Sequence, residues 1–216
     1  MAPTPLVVIG ASGTGREVLD IVIACNEDGA RWEIIGVLDD GPSPANLARL
    51  ADRGIPYLGT IDDYIGSSRR ETDRFALGVA FPHLRRLLAR KAEDAGMRPV
   101  TLAHPQAIIG SRSRLGEGTT LYAGAQLSTN VTLGKHVMVN MNAVVGHDVR
   151  LGDFCAVNPG ASISGEAQLG DGVLIGGRAT VLQGLTVGAG SVVGAAALVT
   201  KDVPAGVVVK GVPGIW

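Results

Sequence analysis

An aliphatic residue recurs at every sixth position from residue 109 to residue 199 without a gap. The residues are Ile109, Leu115, Leu121, Leu127, Leu133, Val139, Val145, Leu151, Val157, Ile163, Leu169, Ile175, Val181, Val187, Val193 and Val199. A period of six fits neither an amphipathic helix nor a half-buried strand, whose apolar residues recur at about 3.6 and 2 positions. It is typical of a parallel β-helix, in which each short strand forms one side of a coil.

Two other positions of the six-residue unit also follow a pattern. Glycine often follows the aliphatic residue, and we expect it there to let the chain turn a corner, as at Gly110, Gly116, Gly134, Gly146, Gly152, Gly170, Gly176, Gly188 and Gly194. The fifth position is small or β-branched in almost every unit, so a large and a small residue fill a narrow core together. Three sides make one coil. The run predicts a little over five coils, or roughly 25 Å at about 4.8 Å per coil.

Composition excludes several classes of protein. The formal net charge is −1, from 19 basic and 20 acidic side chains, which predicts no binding of nucleic acid or of an anionic membrane. Two cysteines, Cys25 and Cys155, are too few for a disulfide framework and indicate a reducing compartment. The first residues lack the basic segment of a signal peptide, and no apolar stretch is long enough to span a membrane. We therefore expect a cytoplasmic protein.

Residues 1–104 lack the six-residue period and are interpreted as a small α/β domain, with the β-helix and its tail at 105–216. The predicted strands are Pro5–Ile9, Trp32–Leu38, Arg74–Val79 and Pro99–Leu102, and the predicted helices are Arg16–Cys25 and Pro82–Ala95. A strand, a glycine-rich turn, a helix and a second strand form a βαβ unit, which indicates a parallel sheet. The basic residues Arg85, Arg86, Arg90 and Lys91 are expected on the solvated face of the second helix.

The turn Gly10–Gly15 (GASGTG) matches neither the dinucleotide fingerprint nor a P-loop, because its glycines are spaced differently and the P-loop lysine is absent. A glycine-rich turn before a helix still suits a phosphate, although a tight turn without a ligand would look the same. Asp39 and Asp40 end the second strand, where such sheets hold ligands, and could accept hydrogen bonds from a base or ribose. Gly78, at the end of the third strand, would complete the crevice.

His147 is the most promising catalytic residue of the β-helix. It occupies the third, outward position of its unit, and the adjacent Asp148 could orient its imidazole. Asn140 and Asn158 are one coil apart, so we expect these polar groups to cluster with His147 on one edge. A surface or structural histidine would give the same local pattern.

Three other candidates for chemistry in the β-helix are weaker. Cys155 lies at an inward fifth position, and the interpretation as a small core residue is preferred to that of a nucleophile. His136 has no acidic neighbour and is expected at the surface. No HxxxH or CxxC spacing supports a metal site, so we predict no metal.

Together these motifs give the chain a family resemblance. The stretches VVIGASGTGREV, GVLDD, FALGVAFPHLRR, VNMNAVVGHDVRLGDF and VTKDVPAGVVVKGVPG resemble the sialic acid O-acetyltransferase-like family of hexapeptide-repeat acyltransferases. Within it they are most similar to the nucleotide-aminosugar N-acetyltransferases of the bacillosamine and perosamine type. The resemblance covers nearly the whole chain. It implies a Rossmann-like domain followed by a left-handed parallel β-helix, whereas the general rule for parallel crossovers would favour a right-handed one.

The resemblance also implies functional roles. His147 matches the family's proposed general base, Asp148 its acidic partner and Asn140 a polar residue near the reacting groups. The positions that match the nucleotide-sugar site are Ser12, Gly13, Thr14, Asp39, Asp40 and Gly78. Those that match acetyl-CoA contacts are Ala156, Gly177 and Ala195. The family further implies a homotrimer with acetyl-CoA between neighbouring prisms.

The chain departs from the family at three places. Thr14 stands where many members have His, and Ala156 replaces a residue that is polar in some of them. The tail reads GVPGIW instead of the usual GxPAK or GxPAR. These departures affect sugar or phosphate contacts at Thr14 and a side-chain bond to the thioester carbonyl at Ala156.

The expected function is therefore transfer of an acetyl group from acetyl-CoA to the amine of a UDP- or GDP-linked aminosugar, with His147 as general base. Two alternatives stay open at this point. One is an O-acetyltransferase acting on a sialic acid or another sugar hydroxyl, which would not need a nucleotide-linked acceptor. The other is a non-enzymatic scaffold, against which the retained His147-Asp148 pair and the intact glycine turn argue.

Overall fold

The computed structural model describes residues 3–67 and 73–216. The chain divides into two compact units, Met1–Ala80 with Leu84–Leu102, and Phe81–His83 with Ala103–Trp216. The first unit is an α/β domain with a parallel sheet and the second is a parallel β-helix. The predicted fold class is therefore confirmed.

The α/β domain has one parallel sheet with helices between its strands. The strands are β1 Thr4–Ile9, β2 Trp32–Leu38, β3 Arg74–Leu77 and β4 Arg98–Pro99, in the order β2-β1-β3-β4. The helices are α1 Gly13–Glu27, α2 Pro44–Ala51, α3 Ile61–Ser67 and α4 Pro82–Asp94. The strand order reverses between β1 and β3, which is the switch point where open α/β sheets bind ligands.

Helix α3 has no counterpart among the elements predicted from the sequence. It is too short to show a helical period, and its start depends on a local cap. The Thr60 hydroxyl accepts a hydrogen bond from the Asp63 N–H at 3.1 Å and donates one to the Asp63 carboxylate at 2.7 Å. This reciprocal pair occupies polar groups at the helix start and stabilises the first turn.

Glycines allow three backbone segments to meet at the switch point. A Cβ atom at Gly15, at the start of α1, would collide with the Gly10 carbonyl, and one at Gly78, after β3, would lie 2.5 Å from the Gly15 Cα. Gly10 itself has φ of 120°, in the region that favours glycine. These glycines are thus required for close packing of the loop, whatever binds to it.

The β-helix consists of three parallel sheets of two-residue strands. The first face contains Leu102–Ala103, Thr120–Leu121, Met138–Val139, Ala156–Val157, Leu174–Ile175, Val192–Val193 and Val208–Val209. The second contains Ile108–Ile109, Gln126–Leu127, Val144–Val145, Ser162–Ile163, Thr180–Val181 and Leu198–Val199. The third contains Arg114–Leu115, Thr132–Leu133, Arg150–Leu151, Gln168–Leu169 and Thr186–Val187.

The prism is longer than the periodic run predicts. The first face has seven strands, because two of them, Leu102–Ala103 and Val208–Val209, lie outside the run of perfect periodicity. The sequence prediction of one strand at Pro99–Leu102 was wrong for the same reason. Arg98–Pro99 joins the α/β sheet, whereas Leu102–Ala103 belongs to the β-helix.

The corners of the coils depend on the fourth position of each unit. Left-handed backbone angles occur there at the non-glycine residues Arg112, Asn130, His136, Asn142, Asp148, Phe154, Glu166, Arg178 and Ala196. The glycines at the second position do not have such angles, so the prediction that they let the chain turn was wrong. They are required because a Cβ would strike the adjacent coil: at Gly110 it would lie 2.5 Å from the Ser128 carbonyl carbon, and at Gly176 2.5 Å from the Ala195 nitrogen.

Burial corrects two other predictions. Arg85 is wholly buried, and its guanidinium donates a hydrogen bond to the Val79 carbonyl at 2.8 Å, so it is not on the solvated face of α4. His136 is also buried, and its ring stacks on Phe154 with the centroids 5.0 Å apart. Arg85 was expected to be exposed as part of an amphipathic helix, and His136 because it has no acidic neighbour and polar residues usually lie at the surface.

Candidate active site

His147 lies at the corner between the second and third faces, with part of its ring exposed. Its Nδ1 is 2.8 Å from the Asp148 Oδ2. Asp148 accepts a second hydrogen bond, at 3.1 Å, from the Asn130 side-chain amide. These two bonds, that of His147 first, lower the pKa of the Asp148 carboxyl below its ordinary value. An ionised carboxylate can only accept, so in the neutral imidazole the hydrogen bond favours the proton on Nδ1, which leaves the lone pair on Nε2.

Asn130 was not among the residues predicted from the sequence. It lies one coil before Asp148, and both residues have left-handed backbone angles at the fourth position, with φ of 59° and 62°. The strands that precede them, Gln126–Leu127 and Val144–Val145, pair in register. A search for polar residues one coil away from Asp148 would therefore have identified Asn130.

Gly165 lies one coil after His147 and gives its ring room. A Cβ at Gly165 would collide with the His147 ring, since its three nearest atoms would be Nε2, Cε1 and Cδ2 of that ring. The imidazole therefore lies over Gly165, with Nε2 on the side of the following coil. On one side, Asp148 holds the ring by a hydrogen bond, and Asn130 holds Asp148. On the other side, the ring has room because Gly165 has no side chain.

Asn140 occupies a different corner of the same coil. It lies between the first and second faces, whereas strand Val144–Val145 separates it from the His147 corner. Asn140 is largely buried, and its Oδ1 accepts a hydrogen bond from the Met141 N–H at 2.7 Å. Asn158 follows Asn140 in the next coil. Asn140 and Asn158 do share a corner, but the expected cluster with His147 does not form within one chain.

The three residues that match acetyl-CoA contacts lie near the Asn140 corner. Gly177 and Ala195 are one coil apart at this corner, where the Ala196 N–H donates to the Gly177 carbonyl at 2.9 Å. Both have minimal side chains and leave space along the corner. Ala156 differs, since its side chain is wholly buried on the first face. The structure therefore does not offer the Ala156 methyl group to a ligand.

Cys155 is a core residue, as preferred from the sequence. It is wholly buried, and its thiol donates to the Gly170 carbonyl at 3.1 Å. Burial raises the pKa of Cys155 to about 12. A thiol with such a pKa is not a nucleophile at neutral pH.

The start of α1 presents free donors beside the glycine turn. Ser12 is the N-cap residue, but its hydroxyl makes no capping bond, and the first turn contains no acidic residue. Gly13 and Thr14 follow as the first helical residues. The Arg16 guanidinium donates to the Ala11 carbonyl at 3.1 Å and to Asn46 at 2.8 Å. Exposed N–H groups at a helix N-terminus with a nearby guanidinium suit a phosphate.

The two aspartates at the end of β2 have separate local roles. Asp39 accepts hydrogen bonds from the Ala11 N–H at 2.8 Å and from the Gly41 N–H at 2.9 Å, and so connects the glycine turn to β2. Asp40 accepts one from the Ile61 N–H at 3.1 Å, and its second oxygen is 3.9 Å from the Lys91 ammonium.

A pocket of about 290 Å³ lies beside these aspartates. It is lined by Ile9, Gly10, Asp39, Asp40, Ile61, Val79, Leu84, Leu87 and Leu88. Its walls are mostly aliphatic, with Asp39 and Asp40 among the lining residues. This size and lining suit one flat ring system with hydrogen-bond donors at its edge. Gly78 packs closely against Gly10 and Gly15 but is not among the residues that line the pocket.

Two features are absent from the described residues, 3–67 and 73–216. No group of three or more His, Cys, Asp or Glu side chains is placed to hold a metal ion. No helix is both long and apolar enough to cross a membrane.

Known proteins share this combination of domains. Residues 5–92 match the family model described as the PglD N-terminal domain. A histidine-to-asparagine variant of perosamine N-acetyltransferase from Caulobacter crescentus, in complex with CoA and GDP-perosamine, has 30% identity and a TM-score of 0.86, over 98% of this chain and 95% of that one. No match was found among curated proteins.

Two further structures agree over nearly the full length. The acetyltransferase domain of PglB from Neisseria gonorrhoeae, in complex with acetyl coenzyme A, has 30% identity and a TM-score of 0.86, over 99% of both chains. WeeI from Acinetobacter baumannii AYE has 30% identity and a TM-score of 0.86, over 97% of this chain and 98% of that one.

An α/β domain with a pocket at its switch point, followed by a β-helix of six-residue units with a His-Asp pair at one corner, is the architecture shared with these hexapeptide-repeat acetyltransferases. The full-length matches at 30% identity specify the family further. The chain belongs to the acetyl-CoA-dependent sugar N-acetyltransferases of the hexapeptide-repeat family, the group that includes perosamine N-acetyltransferase.

Proposed function

We propose that this protein transfers an acetyl group from acetyl-CoA to the amino group of a nucleotide-linked aminosugar. The observation that carries the proposal is the His147–Asp148–Asn130 arrangement, in a chain that aligns along 98% of its length with an enzyme that binds CoA and GDP-perosamine. Two of the matching structures are variants of that enzyme in which one histidine is replaced.

His147 acts as the general base in this proposal. Acetyl-CoA, when bound, supplies the thioester carbonyl that the sugar amine attacks directly, with no acyl group on the protein. Nε2 of His147 accepts the proton that the amine loses, while ionised Asp148 holds Nδ1 protonated and stabilises the imidazolium. Backbone N–H groups stabilise the charge on the carbonyl oxygen. The carbon–sulfur bond then breaks, and the leaving CoA thiolate takes up the proton from His147.

The α/β domain holds the nucleotide. The diphosphate binds at the start of α1, where Ser12, Gly13 and Thr14 present the helix N-terminus and Arg16 adds positive charge. The base enters the aliphatic pocket and donates hydrogen bonds to Asp39 or Asp40. Binding energy from the nucleotide, far from the reacting atoms, orients the amine.

Asp40→Asn should test the acceptor site. If the carboxylate binds ground state and transition state equally, KM for the nucleotide aminosugar rises roughly tenfold while kcat changes little. UDP- and GDP-linked aminosugars and the free aminosugars are compared by thiol release, with N-acetylated product identified by mass spectrometry. Asp52→Asn, an exposed carboxylate at the end of α2, serves as the control.

The same assay separates the proposal from its rivals. Equal turnover of free and nucleotide-linked sugars, or product acetylated only on oxygen, contradicts nucleotide-aminosugar N-acetylation. Unchanged acceptor affinity in Asp40→Asn contradicts the assignment of the pocket.

We further propose that the active protein is a homotrimer whose sites lie between prisms. Ile108 and Val144 on the second face and Met141 at the corner before it are exposed, and closed cyclic assembly would cover such residues. Assembly would also bring the His147 corner of one chain to the Asn140 and Gly177 corner of its neighbour.

Mixing two inactive variants should restore activity if each site uses two chains. Subunits of His147→Asn and Gly177→Phe, exchanged at equal amounts, should regain on the order of a quarter of the wild-type activity, because that share of sites combines two intact halves. Light scattering measures the mass of the assembly. A fully active monomer would refute the trimer.

A further inference from the structure

Helix α2 brings two arginine side chains to one acceptor. The Asn46 Oδ1 accepts a hydrogen bond from the Arg16 guanidinium at 2.8 Å and one from the Arg49 guanidinium at 3.4 Å. Arg16 belongs to α1, whereas Asn46 and Arg49 are three residues apart on α2, a spacing that puts them on the same face of a helix. Asn46 therefore holds two guanidinium groups close to each other.

The charge on these two guanidinium groups is not compensated by the described residues. In the part of the chain that the structure describes, no carboxylate forms an ion pair with Arg16 or Arg49. Arg53, which follows α2, is different, because it pairs with Asp20. Asn46 is a neutral amide, so it accepts both hydrogen bonds without cancelling any charge. Like charges held close repel each other, and the arrangement becomes favourable when an anion lies against both groups.

The pair of guanidinium groups lies beside the glycine turn. The Arg16 guanidinium also donates to the Ala11 carbonyl in that turn at 3.1 Å, and its Nη2 would lie 3.9 Å from a Cβ at Gly13. Asn46 is half-buried, whereas Arg49 is exposed. Arg16 is thus fixed against the turn, and Arg49 reaches it from the solvent side through Asn46.

Two neighbouring guanidinium groups match a particular kind of anion. A planar guanidinium can donate to two oxygens of one phosphate, so two such groups suit two linked phosphates. Arg16 is bonded to the turn whose Gly10 lines the pocket for the base, and it therefore faces the first phosphate after the nucleoside. Arg49, on the far side of Asn46, faces the second.

We propose that Arg49 binds the second phosphate of the acceptor's nucleotide while Arg16 binds the first, and that Asn46 is the positioning residue that sets their spacing. This inference rests on the proposed function and deepens it. It specifies the acceptor as a nucleoside diphosphate sugar, in contrast to a nucleoside monophosphate sugar or a free sugar, and it gives α2 a role in binding.

The first test measures binding of UDP, GDP, UMP and GMP to the full-length protein by calorimetry. Arg49→Met should raise the Kd for UDP and GDP roughly tenfold, because one charge-assisted hydrogen bond is lost, and should leave the Kd for UMP and GMP nearly unchanged. Arg49→Lys keeps the positive charge and should recover part of the affinity. Arg98→Met, at an exposed arginine of β4, removes the same charge elsewhere in the domain and is the control.

Asn46→Asp separates binding from a merely structural role. The carboxylate has the shape of the amide and would hold both guanidinium groups more strongly, and a negative charge near the start of α2 is favourable, so the unfolding temperature should not fall. The same carboxylate cancels the charge that attracts phosphate, so the Kd for UDP and GDP should rise at least about tenfold. If Asn46 only held α2 against α1, nucleotide affinity would stay the same. The affinity for CoA should not change in any of these variants.

The outcomes distinguish this inference from the proposed function. Normal affinity for UDP and GDP in both Arg49→Met and Asn46→Asp overturns this inference alone. An equal loss for the monophosphates overturns the assignment of Arg49 to the second phosphate, and an equal loss in Arg98→Met overturns it too, because the effect would then follow net charge. If the wild type binds neither UDP nor GDP, the proposed function falls together with this inference.

Discussion

Replacing His147 with asparagine should lower kcat by roughly 10²–10⁴-fold, because one positioned general base contributes about that much. Asparagine approximates the shape of the imidazole near its backbone and can still bond to Asp148, but it cannot accept a proton at neutral pH. The affinity for the nucleotide aminosugar should remain, since the α/β domain holds the nucleotide. Steady-state kinetics at saturating substrates and acceptor titration by calorimetry measure the two effects.

The control for this variant is His83→Asn, at an exposed histidine outside the proposed sites. It should leave kcat unchanged. A His147→Asn enzyme that retains kcat within about threefold of the wild type would rule out His147 as the base. A pH profile adds a second check, because the loss should be smaller at high pH, where the amine loses its proton without assistance.

Replacing Gly165 with alanine should lower kcat about 100-fold without destabilising the protein. The atoms nearest to the new methyl group are those of the His147 ring, which can rotate outward, so the core stays packed. A displacement of about 1 Å at a catalytic group costs on the order of 10²-fold in rate. Thermal unfolding and kcat, measured on the same preparation, test the two halves of this prediction.

A double-mutant cycle shows whether Gly165 acts through His147. The variant with both Gly165→Ala and His147→Asn should be no slower than His147→Asn alone, because the ring that the methyl displaces is no longer there. Gly66→Ala, at a glycine of α3 with open space around it, is the control. Additive losses in the double variant, or a lower unfolding temperature for Gly165→Ala, would contradict the positioning role.

The β-helix could be predicted because the residue pattern that produces it is local and repeats every six residues. Each unit supplies one large and one small inward residue, and a core so narrow accepts little else. The same regularity misled the interpretation of the glycines. Sequence shows only that Gly176 occurs at a fixed position, whereas both a left-handed turn and a close approach of coils select glycine. The structure decides for close approach, and assigns the turn to residues such as Asp148 and Phe154.

Residues outside the regular pattern were predictable only in part. The Asp39-Asp40 pair ends a clear strand, and its place beside the glycine turn follows from the βαβ unit. Arg85 and His136 were assigned to the surface because the sequence around a single polar side chain does not show which residues will pack against it. Their burial depends on what packs above them, such as Phe154 on His136, which the periodicity does not show.

The sequence by itself determined the two domains, the coil and the His147-Asp148 pair, because each depends on residues adjacent in the chain or related by a short repeat. Only the tertiary structure decided which groups meet across coils. Asn130 reaches Asp148, Gly165 makes room for the His147 ring, and Trp216 returns to Lys201, whereas Asn140 lies at another corner. The physical reason is register. A shift of one position moves a side chain from the corner to the core, and register is set by the backbone hydrogen bonds between coils.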